Sequence, residues 1–95
     1  MESDDLDLRR RRCLFRAEHR GTKEMDWLLG KYASAQLPGI DAEGMAFWEE
    51  LVLIPDPQFY DWIMGAQVTE NARIAEVVGA IRAFHGLVPH EAMGQ

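Results

Sequence analysis

A single cysteine, Cys13, is present in the 95 residues. No internal disulfide can form, so nothing in the sequence points to an oxidising compartment. No apolar run approaches the roughly 20 residues that a membrane-spanning helix needs. The opening MESDDLDL has no apolar stretch of the signal-peptide kind, and its acids are foreign to a mitochondrial presequence. The expectation is a soluble protein of a reducing cytosol with no membrane insertion, and the lack of a presequence sets the mitochondrial matrix behind it. Repeats, low-complexity segments and strand alternation bounded by hairpin turns are also lacking.

Chemical motifs are just as scarce. His19, His85 and His90 are scattered, without the close spacing of a metal site, and no metal is expected. No nucleophile with its base, paired-carboxylate site or phosphate loop can be recognised, so no catalytic residue is expected. Neighbouring arginines would lower the pKa of Cys13, but a helix-packing thiol explains it better. Beyond residue 31, bases run out. Residues 1–31 hold eight Lys and Arg against seven acids, whereas residues 32–95 hold two bases against nine acids. That asymmetry suggests a basic face at one end of an acidic body.

What is present is apolar content and helical punctuation. Hydrophobic residues make up 47% of the chain, too many for disorder, and its length suits one small domain of modest stability. Gly21, Leu37-Pro38-Gly39, Pro55 and Gly65 separate five expected helices, giving an all-α fold, a compact five-helix bundle. The first helix should run from Asp4 to Ala17, with Leu6, Cys13, Leu14 and Ala17 on one face and Leu8 and Phe15 on another. The second should run from Thr22 to Ala35 and bury Met25, Leu28, Leu29 and Tyr32, spaced i, i+3, i+4, i+7. A third, capped by Asp41, should bury Met45, Trp48, Leu51 and Val52. A fourth should start with Asp56 as cap and Pro57 in first helical place, bury Phe59, Trp62 and Ile63, and end at Gly65. The fifth should be capped by Thr69 and bury Ile74, Val77, Val78, Ile81 and Phe84. Residues 1–8 read as a flexible extension or a helix start, 9–86 as the helical domain and 87–95 as a loose tail.

Between the first two helices lies HRGTKEMD, residues 19–26. Gly21 suits a corner that other residues resist, and Glu24 sits where the dipole of the second helix favours an acid. Arg20 is placed to pair with Glu24 or Asp26. The basic run Arg9 to Arg12, with Arg16 and Arg20, suits an acidic partner better than nucleic acid, because the whole chain carries a net charge of −6. Trp27 falls off the main stripe and is expected to pack on the first helix.

The stretch Arg20-Gly21-Thr22-Lys23-Glu24-Met25-Asp26 resembles the RGxxE signature, with its following acid, of the SdhE family. These are FAD assembly factors of succinate dehydrogenase, also described as succinate dehydrogenase assembly factor 2 or the antitoxin CptB. Phe47-Trp48-Glu49-Glu50-Leu51, then Pro55-Asp56-Pro57 to Trp62-Ile63, resembles the family's second pattern, and the likeness runs from about Arg10 to Phe84. The resemblance implies a five-helix chaperone, not an enzyme. Such a factor binds the flavoprotein subunit of succinate dehydrogenase, and in some bacteria fumarate reductase, and promotes covalent attachment of FAD there. It implies that Arg20, Gly21 and Glu24, with Asp26 as a weaker member, lie on the client interface, joined by Arg16 and Arg12. No tightly bound cofactor is expected, since FAD is handled on the client, and the motif does not decide whether the factor itself binds FAD. The free protein is expected to be a monomer. The competing readings are an antitoxin-like or nucleic-acid-binding module using Arg9–Arg12, and an enzyme using Cys13 or His19.

Overall fold

The computed structural model describes residues 2–87, with side chains from residue 5 onward. The tail from residue 88, with Pro89 and His90, lies outside the described residues. Among the described residues five helices follow one another: α1 (Glu2–Glu18), α2 (Lys23–Gln36), α3 (Ala42–Leu51), α4 (Asp56–Met64) and α5 (Ala72–Phe84). Among the described residues there is no strand. The all-α expectation is met, and the chain falls into two units that divide between Ile54 and Pro55.

In the first unit α1 packs on α2 and on α3. Of the side chains that helical periodicity selects, Met25, Leu28 and Leu29 on α2, and Met45, Trp48, Leu51 and then Val52 on and just after α3, are buried, whereas Tyr32 stays half-buried. Each such aliphatic or aromatic side chain contributes about 1.5–3 kcal/mol relative to exposure. Among the described side chains of α1 only Cys13 and Ala17 are fully buried, while Leu8 and Phe15 stay 39% and 60% exposed. The second apolar face of that helix therefore points to solvent. Trp27 is 51% exposed.

Helices α1 and α2 approach closely at Gly30, which is buried. A Cβ there would lie 3.2 Å from the Cα of Glu18 and 3.4 Å from the carbonyl oxygen of Ala17. Glycine thus lets the two backbones meet at the end of α1, next to the corner. Thr22 caps α2 by accepting from the Met25 N–H at 3.2 Å, and Asp41 caps α3 by accepting from the Gly44 N–H at 2.8 Å. Both satisfy donors that a helix start leaves free.

In the second unit α4 packs on α5. Phe59, Ile63, Val78 and Ile81 are buried, whereas Trp62, Ile74 and Val77, expected beside them, are half-buried. Gly65 ends α4 at φ 84°, and the Asp61 carbonyl accepts the N–H of Ala66 at 2.8 Å. Three expectations need correcting. Asn71, not Thr69, caps α5: its side chain accepts from Ile74 N–H at 3.0 Å, while Thr69 accepts from Asn71 N–H at 3.2 Å and only shapes the approach. Pro55 occupies the cap position of α4, because its carbonyl already accepts the Phe59 N–H, so Asp56 is the first helical residue. Phe84, at the last position of α5, is 47% exposed rather than buried, where the final turn runs out.

Candidate functional site

The corner between α1 and α2 is built from backbone and side-chain bonds that converge on Arg20. Helix α1 ends at Glu18, and His19 places Nδ1 2.8 Å from the Phe15 carbonyl oxygen while its ring stacks on Phe15 at 3.9 Å. That stack covers part of the exposed Phe15 and satisfies a carbonyl that a helix end leaves open. Next, the backbone N–H of Arg20 donates to Oδ1 of Asp26. Its guanidinium reaches away from the corner and donates to the carbonyl oxygens of Val52 and Ile54, just past the end of α3. Arg20 is therefore half-buried. Sequence spacing offered only a local partner for its side chain, Glu24 or Asp26. The carbonyls of residues 52 and 54 carry no side-chain signal and become visible only in three dimensions.

Gly21 follows at φ 111°, in the region that side chains bearing a Cβ resist. Gly21, Thr22, Lys23 and Glu24 are all exposed. Glu24 and Asp26 both lie in the first turn of α2, where the helix dipole stabilises acids. The corner thus presents a bare backbone with Glu18, Lys23 and Glu24 exposed around it, on a turn fastened by the Arg20–Asp26 and Thr22–Met25 hydrogen bonds.

The basic run divides by role. Arg9 makes a two-pronged ion pair with Glu49 of α3, Nε and Nη2 donating at 3.0 and 2.8 Å. The hydrogen bond from Arg9 holds the Glu49 carboxyl below the usual carboxylate range. Arg10 donates to the Ile40 carbonyl at 2.6 Å. Arg11 reaches Asp7 at 3.5 Å across one turn. Arg12 and Arg16 are exposed, and among the described residues neither is paired with a carboxylate. Two arginines of the run thus hold the fold, and the two that the resemblance assigned to an interface remain available to one.

Cys13 is 2% exposed, and burial, helped by Glu49 and opposed by Arg16, pushes its thiol up from 9.0 to about 11. At neutral pH it is a protonated packing group rather than a nucleophile. A groove of about 270 Å³ runs past it, between α1 and the end of α3. Leu53 lines this groove at 67% exposure. Sequence periodicity passed over Leu53, which lies just beyond the helical stripe.

Residues 11–85 match the family described as flavinator of succinate dehydrogenase. The chain belongs to that family. Over 62 residues it is 44% identical to the FAD assembly factor SdhE of Acetobacter pasteurianus, covering 65% of this chain and 57% of the relative. It is 30% identical over 79 residues to the FAD assembly factor SdhE of Pseudomonas aeruginosa, covering 83% of this chain and 90% of the relative. It is 28% identical over 71 residues to the mitochondrial succinate dehydrogenase assembly factor 2 of Dictyostelium discoideum, covering 74% of this chain and 50% of the relative. The aligned part of the chain therefore spans little more than half the length of the first of these relatives. No solved structure matches the chain. Within the family match lie Arg12, Arg16, Arg20, Gly21, Glu24 and Asp26. Among the described residues no helix is long and apolar enough to cross a membrane.

Proposed function

We propose that this chain binds the flavoprotein subunit of succinate dehydrogenase and promotes covalent attachment of FAD to it, as an assembly factor and not as an enzyme. The observation that carries the reading is the exposed Gly21–Glu24 segment, set within the family match and fastened by bonds that leave its outer side bare. Gly21 and Glu24 form the client contact, with Arg12 and Arg16 adding positive charge on α1. Arg20 and Asp26 belong to the same site and shape it from behind.

The bond-forming chemistry then belongs to the client, where a histidine meets the flavin methyl carbon. The factor contributes orientation: holding reacting groups in place lowers a barrier by several kcal/mol without any catalytic side chain. A buried, protonated Cys13 accords with that division of labour. FAD stays with the client, and the free factor is a monomer of the bacterial cytoplasm with no nucleic-acid or membrane partner.

The test is a deletion strain scored by in-gel fluorescence of covalent flavin on the flavoprotein subunit. The expected result is a loss of fluorescence, restored by the wild-type gene and poorly restored by Glu24→Ala. Undiminished fluorescence in the deletion strain overturns the reading.

A further inference from the structure

Resting on the reading that the client is the flavoprotein subunit, we propose that the groove between α1 and the end of α3 is a second contact. It receives an acidic segment of the client that carries an apolar side chain beside its carboxylate. The groove has a definite charge pattern. Arg9 is neutralised by Glu49 at one end, while Arg12 and Arg16 line it without a carboxylate among the described residues. They stand four residues apart, one turn along the same side of α1, so both guanidinium groups can reach one carboxylate. The remainder is apolar: Cys13 and Val52 are buried in its lining and Leu53 projects at 67% exposure.

A lone exposed leucine is ordinary. Leu53 differs because the backbone on both sides of it is tied down. The carbonyls of Val52 and Ile54, its two neighbours, both accept from the Arg20 guanidinium. The outward placement of Leu53 is therefore held by the signature arginine, and the corner and the groove share one brace. A polyphosphate chain would answer the two arginines but gains nothing from Leu53, and it would meet a chain of net charge −6. An acidic protein segment with an adjacent apolar side chain answers both features.

The test is calorimetric titration of the full chain into the purified, flavin-free flavoprotein subunit at two salt concentrations. Leu53→Ser and Leu53→Gln should each weaken binding about tenfold and leave its salt dependence unchanged. Arg12→Ala with Arg16→Ala should weaken it by a similar factor and flatten the salt dependence. All three sites are exposed, so circular dichroism and Tm should stay at wild-type values. Wild-type affinity and salt dependence in these folded variants overturns the groove contact and leaves the flavoprotein reading standing. Absence of binding by the wild-type chain overturns both. Binding of single-stranded RNA that needs the arginines and is indifferent to Leu53 overturns the acidic-segment assignment.

Discussion

Arg20 donates from its guanidinium to the carbonyl oxygen of Val52, 32 residues further along the chain. A residue whose family signature reads as a surface motif thus spends its side chain inside its own molecule. It joins the start of α2 to the end of α3, while its own N–H is taken by Asp26.

Arg20→Ala should therefore lower stability by about 1–3 kcal/mol, through the loss of charge-assisted hydrogen bonds to carbonyls left without that donor. Arg20→Lys should recover only part of this, since an ammonium lacks the planar fork that serves two carbonyls at once. Urea denaturation followed by circular dichroism measures both. Wild-type stability in Arg20→Ala, with client binding lost, would show that Arg20 acts on the client directly rather than as a brace.

Cys13 gives a pH signature. Its thiol ionises near 9.0 in the unfolded chain and near 11 in the folded one. Between those values the unfolded chain has released the proton while the folded chain retains it, so stability falls as pH rises from about 9 to about 11. Below 9 the thiol is protonated in both states and contributes no pH dependence. Denaturation midpoints across this range should drop less in Cys13→Ala than in wild type. A thiol reagent at pH 8 should label the native protein slowly and the denatured protein at once.

The start of α5 offers a direct comparison of two neighbouring polar residues. Asn71→Ala removes the cap bond to Ile74 N–H and should cost about 1 kcal/mol. Thr69→Ala removes only the bond to Asn71 N–H and should cost distinctly less. Thermal melts of the two variants decide it, and a larger loss for Thr69→Ala would return the cap to the residue that sequence alone favours.

That reversal shows where the sequence was legible. Helical stripes were, because Met25, Leu28, Leu29 and the α3 set recur at the helical period and side-chain chemistry marks them. Caps were legible when one candidate stood before the helix, as Asp41 does, and ambiguous when Thr69 and Asn71 both did. The corner was recognisable as a motif, and Gly21 as its turn. Its anchoring was not, since backbone carbonyls at Val52 and Ile54 look alike in any sequence. For the same reason nothing in the spacing distinguished Arg9, paired with Glu49, from Arg12, which is not. Gly30 passed unnoticed because a glycine that lets two helices approach resembles a glycine that merely weakens one.

The φ of 111° at Gly21 has a stereochemical consequence. It is the mirror of an angle that ordinary residues adopt freely, so the position suits the opposite hand. A chain of 95 residues is within reach of synthesis by ligation of peptides. Replacing Gly21 with D-alanine should preserve the turn and the melting temperature while placing a methyl group on the exposed corner, whereas Gly21→Ala of natural hand should strain the turn itself. Client binding lost in the mirror-handed variant at unchanged stability would mean that the partner rests on bare backbone. Binding kept there and lost only in the natural-handed variant would mean that glycine serves the turn alone.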